Sequence, residues 1–477
     1  MNPRRWRSLG LLALTQLIFT LDTTIVNPAL PTIQREFSLS PGGLAWVVNG
    51  YTLMAGGFLI VGGRAADLLG RRRVFITGML LFAVASAASG LAVNGRMLVC
   101  ARFGQGLGEA LAGPAALSLL VLLFPDLRER TKAIFIWGSI STLGSTLGLV
   151  ISGIVISELS WRWIFLVNLP AVAVVLVLLP RWIGSAAAVR SGAIDITGAL
   201  LITGGMTLLS DGMIESSEHA WTSLSVLLPV ASAVGLLATF TLSQLRIRDP
   251  LVPLRFFRSR TRISGNVATV FAAASFLGVF FTMTLYLQDV LHYSALKTGL
   301  AWLPFVLTIL GGLAASQWIL ERLGLRIGLG LSYTISAVCL FSLSAITTHP
   351  HYASRMLPAL AVMGFTQGVN FPGLQNSALY RLDDRDAGLG SAIQSTAQQL
   401  GGSLGLALLV SVALRHTAAL VAHGVAPTVA KTAGYSLTLK LSAGLTLLGA
   451  VAVVLLFEHG PLIRTDDHGA PAITEGR

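Results

Sequence analysis

Two ionisable side chains stand inside apolar stretches, where charge is expensive. Asp22 lies within Phe19-Thr20-Leu21-Asp22-Thr23-Thr24-Ile25-Val26-Asn27-Pro28-Ala29-Leu30-Pro31, and Arg102 follows Leu98-Val99-Cys100-Ala101. A carboxylate at the middle of a bilayer costs roughly 3 kcal/mol on insertion scales, so it persists where it has a partner, a water-filled cavity or a proton. Counted along helices entering from opposite sides, Asp22 lies roughly 21 Å from the inner edge and Arg102 roughly 9 Å from the outer edge of a core about 30 Å thick. The two depths coincide. An exchange of protons and a static ion pair that fixes helix register both remain open. Glu109 follows Arg102 at i+7, on a similar helix face. A buried acid without a fixed partner suits reversible proton binding, and a solvated or locally capping role is the competing reading. Asp211 and Asp289 fall near outer helix ends and read as solvated interfacial acids.

Such residues need long apolar elements to position them. Apolar residues make up 54% of the chain and charged residues only 11%, against about 25% charge in soluble proteins. Windows of roughly twenty apolar residues recur fourteen times, which predicts an all-α membrane protein of fourteen transmembrane helices. The net charge of +12 is scattered through short connectors, unlike a nucleic-acid footprint. With both termini on the cytoplasmic side, inner connectors hold roughly three times as many Lys and Arg as outer ones. That bias places the chain in the cytoplasmic membrane with both termini cytoplasmic. Cys100 and Cys339 both fall in apolar spans and read as small buried hydrophobes.

The chain repeats itself weakly. Arg96-Met97-Leu98, Gln105-Gly106 and Pro114 return as Arg355-Met356-Leu357, Gln367-Gly368 and Pro372, and Asp67-x-x-Gly70-x-Arg72 returns as Glu321-x-x-Gly324-x-Arg326. Gly144-x-x-Leu147-Gly148-Leu149 matches Gly401-x-x-Leu404-Gly405-Leu406, and all offsets fall at about 254 to 262 residues. This spacing predicts two six-helix pseudo-repeat bundles, 1–186 and 246–477, with residues 187–245 as a central two-helix insertion. Ala361 stands near the place of Arg102 in the second repeat, so the arginine is not a need of both halves.

Three further groups bear on movement. Gly62 through Arg73, with Gly63, Asp67, Gly70, Arg71 and Arg72, reads as a tight inner loop. Asp67 there can accept from the following helix N-terminus or pair with an arginine, as a charge lock broken when the halves rock. Glu321, Gly324 and Arg326 are its second-half counterpart. Gly138, Gly144, Gly148, Ser152 and Gly153 form a small-residue stripe suited to close helix packing or gating. Asn27, Pro28 and Pro31 should break the end of the first span, and Pro114 should interrupt the fourth. Phe58, Trp137, Phe276, Phe280, Phe281 and Trp302 are candidates to line a greasy cavity, with packing as the commoner use. The basic stretch from Arg246 to Arg262, with Phe256-Phe257, reads as an anchored linker.

No lysine follows a glycine in a phosphate-loop pattern, so ATP hydrolysis is not expected; nor is a cofactor, and the energy source would be the proton gradient. His349-Pro350-His351 is too sparse to count as a metal site, so no metal is assigned.

The residues quoted above resemble the major facilitator superfamily, in its fourteen-helix drug:proton antiporter branch. Leu21 to Pro31 is similar to that branch's first-span signature and Gly63 to Arg72 to the superfamily's inner-loop motif. Arg102-Phe103-Gly104-Gln105-Gly106-Leu107-Gly108 resembles the fourth-span motif whose arginine is implicated in proton transfer. Ser160-Trp161-Arg162-Trp163-Ile164-Phe165-Leu166-Val167-Asn168-Leu169-Pro170 is similar to another branch hallmark. Leu68 stands where the inner-loop motif has a basic residue. Gly148-Leu149 and Ser152-Gly153 stand where the fifth-span antiporter motif has Gly-Pro and Gly-Gly. The resemblance implies a non-enzymatic, monomeric exporter of small hydrophobic or cationic compounds, exchanging them for protons in contact with membrane lipids. Protonation of Asp22, and of Glu109, would compete with substrate while Arg102 modulates the acid. A transporter dedicated to one metabolite, peptide or lipid is the nearest alternative, and a non-transporting membrane sensor or scaffold is the alternative from another class.

Overall fold

The computed structural model describes residues 3–183, 194–217, 219–247, 250–348, 352–378, 380, 382 and 384–457, and these fold into helices without strands. A first group comprises α1 (Pro3–Ile25), α2 (Leu30–Phe37), α3 (Pro41–Leu69), α4 (Arg71–Gly90), α5 (Gly95–Leu123), α6 (Leu127–Glu158), α7 (Trp163–Leu166) and α8 (Asn168–Trp182). Then come α9 (Ile196–Glu215) and α10 (Leu224–Arg246). A second group comprises α11 (Arg260–Leu285), α12 (Ala295–Ala301), α13 (Leu303–Leu343), α14 (Leu357–Ala378), α15 (Asp384–Ala422) and α16 (Pro427–Leu456). Among the described residues, eleven helical stretches are long and apolar enough to cross a membrane, and one of them, Ala295–Leu343, is broken at Gly324. The predicted boundary near residue 186, His349 to His351, Arg248 and the chain beyond Phe457 lie outside the described residues.

Glycines set the closest helix contacts, and they do so twice over. In the first group α3 and α5 approach so tightly that a Cβ on Gly106 would lie 2.2 Å from the Tyr51 carbonyl oxygen, and one on Gly62 1.9 Å from that of Ala110. In the second group α13 and α14 repeat the arrangement: Gly368 would meet the Ile309 carbonyl oxygen at 2.2 Å and Gly312 that of Phe365 at 1.9 Å. Small residues allow such backbone approach where lipid supplies no hydrophobic drive between helices. The α1–α6 pair, with Leu17 facing Gly144 and Thr24 facing Gly148, is likewise echoed by α11–α15, with Val270 facing Gly401 and Ala274 facing Gly405.

The stretch read as an inner loop from Gly62 to Arg73 is instead almost wholly helical. The helix α3 continues to Leu69 and α4 begins at Arg71, leaving Gly70 as the whole connector at φ +97°, a conformation that favours glycine. Gly62 and Gly63 do not turn; Gly62 packs on α5, and a Cβ on Gly63 would meet Pro114 only at an ordinary 3.5 Å. Gly324 joins the arms of α13 in the same way at φ +74°. Asp67 pairs with Arg71 at 3.1 Å one turn on, both partly exposed, so this charge contact lies within one group and spans no interface. Glu321 accepts from Gln317 at 2.8 Å, and Arg326 donates to the Val454 carbonyl at 2.6 Å, so the second connector has the backbone of the first and a different charge pattern.

Proline also behaves unevenly. A 3-10 turn at Asn27–Ala29 breaks the first span as expected, whereas α5 runs through Pro114 without interruption. The aromatic residues do not share a cavity. Phe276, 37% exposed, stacks on Phe280 and Phe305, and Phe280 lies 4.5 Å from Trp302 inside the second group's core. Trp137 packs against the first group's core and Phe58 beside Ile60, Val61 and Ile393.

The two groups meet along seams best located by reference to the ends of α1. At the distal end, where α1 gives way to the 3-10 turn, Ile25, Val26, Leu30 and Leu44 share one buried cluster with Phe281, Leu285, Leu406 and Val410. Gln288 donates to the Pro28 carbonyl there at 3.0 Å. Along α3 and α15, Thr396 donates to the Gly56 carbonyl at 3.0 Å. The helix α9 packs on both α3 and α15, whereas α10 packs on α9 and shows most of its surface. Asp195 and Gln244 tie this pair together at 2.6 Å, and Gln244 also accepts from the Val252 amide of the linker. Phe256 is buried in the cluster with Ile60, Val61 and Ile393, so the linker is pinned at the proximal end rather than lying free on a surface.

The glycine stripe of α6 divides by neighbour. Gly144 and Gly148 face α1 in the same group, whereas a Cβ on Gly153 would lie 2.6 Å from the Leu296 Cα of the second group. Gly148→Val is therefore expected to lower the melting temperature of the purified protein, by an overpacking cost of about 1–3 kcal/mol. Gly153→Val, which presses on the backbone at Leu296, should lower melting as well and, unlike Gly148→Val, widen the distal seam, read as faster labelling of a cysteine placed at Leu285. Equal effects of the two substitutions on both measurements would contradict this division.

Candidate functional site

Asp22 and Arg102 meet. The carboxylate Oδ2 accepts from Arg102 Nη1 at 2.5 Å, with the side chains 0% and 1% exposed. The other oxygen, Oδ1, accepts from Gln105 Nε2 at 2.9 Å and from Asn168 Nδ2 at 2.8 Å. Arg102 also donates Nε to the Val47 carbonyl at 3.0 Å and Nη1 to Gln105 Oε1 at 3.0 Å, and its guanidinium lies 4.4 Å from the Tyr51 ring centroid. An always-ionised guanidinium with several fixed donors suits this divided role.

Around the pair stands a shell of neutral polar groups. Ser86 accepts from Gln105 and Asn168 and donates to the Phe165 carbonyl at 2.9 Å; Ser89 donates to Gln105 Oε1 at 3.2 Å. Six helices of the first group thus converge here: α1 gives Asp22, α3 the Val47 carbonyl, α4 the two serines, α5 Arg102 and Gln105, α7 the Phe165 carbonyl and α8 Asn168. Each position follows from local sequence. Arg102 and Gln105 are one turn apart on α5, and the close α3–α5 contact at Gly50 and Gly106 brings the Val47 carbonyl within reach. Gln105, Asn168 and Ser86 were not singled out from the sequence, although Gln105 and Asn168 lie within quoted motifs. Gln105 stands one turn after Arg102 on the same helix, whereas Asn168 and Ser86 come from other helices and carry no such spacing.

Glu109 is not part of this network. It lies on α5 beside Tyr51, partly exposed, and its Oε2 has no hydrogen-bond partner among the described residues. Tyr51 therefore stands between the two acids, its ring against Arg102 and its side chain next to Glu109. Of the packing residues, Gly144 and Gly148 hold α6 against the segment of α1 that carries Asp22, and Ser152 donates to the Ile25 carbonyl at 2.6 Å. The side chain of Leu149 lies outside the described residues. The Asp67–Arg71 pair and the Glu321–Gly324–Arg326 connector sit at the proximal end, away from this centre.

The second group holds no equivalent charge among the described residues. In its α13–α14 contact, Ser336 and Thr366 share a hydrogen bond at 2.5 Å and Ser332 donates to the Thr366 carbonyl at 3.1 Å. Hydroxyls stand there in place of ions. The arrangement in the first group can hold one carboxylate ionised in a dry interior, and offers a second, less constrained acid about two turns away. Among the described residues no group of three or more His, Cys, Asp or Glu could hold a metal ion.

Comparison with known proteins accords with this geometry. The family model described as Major Facilitator Superfamily matches residues 12–406. The lincomycin resistance protein of Streptomyces lincolnensis is 37% identical over 86% of this chain and 84% of its own length. The puromycin resistance protein of Streptomyces alboniger is 35% identical over 100% of this chain and 96% of its own. The cephamycin export protein of Amycolatopsis lactamdurans is 34% identical over 83% of this chain and 82% of its own. Among solved structures, a bacterial homologue of the human lysosomal transporter Spinster, inward-facing and unoccupied, superposes with a TM-score of 0.69 at 15% identity, covering 96% of this chain and 97% of that one. That likeness shows the fold alone. With a family model spanning most of the chain and relatives aligned nearly end to end, this chain belongs to the Major Facilitator Superfamily.

Proposed function

We propose that the chain is a proton-coupled secondary transporter that exports hydrophobic or amphipathic drugs across the cytoplasmic membrane by alternating access. The observation that carries this reading is the near full-length similarity to proteins named for antibiotic resistance and export. The caged Asp22–Arg102 pair and the unsatisfied Glu109 oxygen support proton coupling, since a buried ionisable group in a membrane helix is a functional site by default.

The finer architecture belongs to the same proposal. Splitting the broken stretch at Gly324 and adding the long helices α6 and α14 to the eleven gives fourteen crossings. These divide into bundles 1–186 and 246–477 around the inserted pair in 187–245. The proximal end is then cytoplasmic, with both termini, and the working unit is a monomer without cofactor. Asp67, Gly70, Arg71 and Arg72, with Glu321, Gly324 and Arg326, set the stiffness of the cytoplasmic connectors. Gly144, Gly148 and Gly153 allow the bundles to approach.

Within the site the roles divide. Asp22 has both oxygens occupied by donors from two other helices, Arg102 and Gln105 of α5 and Asn168 of α8, and is held where substrate cannot touch it directly. Glu109 lies in a half-buried side chain whose Oε2 is buried without a hydrogen-bond partner, so it is the acid less committed to a fixed network and the one placed to take up a proton. Arg102 links them through Tyr51. A second reading, a transporter dedicated to one compound, draws on the names of three relatives, each tied to one antibiotic.

In proteoliposomes with an imposed pH gradient, proton-driven efflux is expected for lipophilic cations and neutral antibiotics together; flux confined to one compound, with no competition from the rest, would select the dedicated reading. Asp22→Asn places an amide against donors on every side, so it should lower coupled flux about 10- to 100-fold, the equivalent of one charged hydrogen bond. It should also lower thermal stability, and the paired Asp22→Asn/Arg102→Gln variant should restore stability without restoring coupling. Intact coupling in Asp22→Asn would remove the acid from the mechanism. Glu109→Gln should keep substrate counterflow at constant pH while flattening its response to a pH gradient. An unchanged gradient response would return Glu109 to a merely solvated role.

A further inference from the structure

The inserted pair is held to the two groups of helices by different kinds of contact. At the distal end of α9, Ile214 shares a buried cluster with Ala45 of α3 and Ala407 of α15. At its proximal end Ala199 does so with Ile60 and Val61 of α3 and Ile393 of α15. The helix therefore follows the α3–α15 seam along its length, with α10 packed on it and largely exposed. Chain connectivity does not choose between the groups, since the pair is joined to one at each end.

Toward the second group the ties are polar. Arg415 of α15 donates Nη1 to the Ser216 carbonyl at 2.7 Å and to that of His219 at 3.4 Å, and its guanidinium lies 5.6 Å from the Trp221 ring centroid. Ser411, one turn earlier on α15, donates to the Met213 carbonyl. Carbonyls at the end of a helix lack partners of their own, and a cation there also meets the negative end of the helix dipole. At the proximal end, Gln244 of α10 accepts from the Val252 amide of the linker that leads into α11. Toward the first group the contact is shape alone. A Cβ on Gly42 would lie 2.6 Å from Ile214 Cγ2, and one on Gly57 1.8 Å from Thr203 Oγ1. The Thr203 hydroxyl, buried against α3, has no hydrogen-bond partner, and among the described residues no hydrogen bond or ion pair joins α9 or α10 to the first group.

We propose that the inserted pair is carried by the second group and shifts against the first, so that α9 is a moving seal over the α3–α15 seam. This inference rests on the alternating-access reading above. Apolar contact is non-directional and survives a shift while its area stays buried, whereas the bonds of Arg415 and Ser411 hold at one geometry only. A seam between two moving groups also needs a cover. Thr396 and the Gly56 carbonyl pair across it, and acyl chains entering there could not satisfy them.

The test follows the pair directly. Spin labels on Val93→Cys in the first group, Val429→Cys in the second and Leu224→Cys at the start of α10, all exposed at the distal end, are taken two at a time in lipid nanodiscs. Cys100 and Cys339 are replaced by alanine in this background. Distances are read from about pH 5 to pH 8, with and without tetraphenylphosphonium. The Val93–Val429 distance reports movement of the groups. Where it changes, the Val93–Leu224 distance should change with it, by about 5 Å or more, the scale of a one-turn displacement. The Leu224–Val429 distance should keep one narrow peak throughout. Arg415→Gln should broaden that peak under every condition, and Arg415→Lys, which keeps a charge and a donor at the helix end, should broaden it less. Ser411→Ala cuts the same tie more mildly and should act in the same direction if Arg415→Gln does not fold. Leu224 keeping its distance from Val93 while Val429 moves overturns the proposal, as does a Leu224–Val429 peak that the folded Arg415 and Ser411 variants leave unchanged. If the two groups hold one distance under every condition, the alternating-access reading falls, and the Arg415 and Ser411 variants alone decide whether the second group carries the pair.

Discussion

Removing a carboxylate and a guanidinium from water costs several kcal/mol for each ion, and their mutual attraction offsets this only when the remaining lone pairs and N–H groups are satisfied. Asp22 and Arg102 meet that condition by recruiting Gln105 from α5 itself and Asn168, Ser86 and a backbone carbonyl from three further helices. The arrangement of the first group follows from the requirement. The α3–α5 approach must be close enough for Val47 to reach Arg102, and α1 must be held by Gly144 and Gly148 of α6 at the height where its acid meets that arginine. Loss of either partner would leave a bare buried charge, a penalty of about 3–5 kcal/mol.

The second group has the same helix contacts and none of this charge. Gly312 and Gly368 reproduce the backbone approach of Gly62 and Gly106, yet Ser332, Ser336 and Thr366 occupy the space with hydroxyls. Scaffold and chemistry have separated. One half keeps a charged centre with a strict geometric demand, and the other keeps only the packing.

Much of this was legible in residue order. Asp22 and Arg102 could be matched by depth because helices have a fixed rise and a bilayer a fixed thickness. The repeat surfaced because glycines at close contacts tolerate no side chain. What escaped had physical reasons. Gln105 and Asn168 are neutral amides, and nothing in a linear motif separates an amide that cages an ion from one that packs. Gly62 and Gly63 looked like turn residues, yet both lie within a continuous helix, where the missing side chain of Gly62 serves the approach to α5. The aromatic set failed because hydrophobic type fixes burial, not the neighbour.

The hydrogen bond from Arg102 to the carbonyl of Val47 has one more consequence. A carbonyl within a helix has two lone pairs, so it can serve its own helix and a visiting donor at once. The tie between α3 and the buried charge is thus independent of which side chain residue 47 carries. Homologues can exchange valine there for any residue of similar bulk and keep the bond, and alanine scanning along α3 would pass over it. What would sever it is a change in main-chain path: a proline one turn later, or any substitution at Gly50 that lifts α3 away from α5. Part of the binding geometry is inherited as shape, and comparison of side chains alone undercounts it.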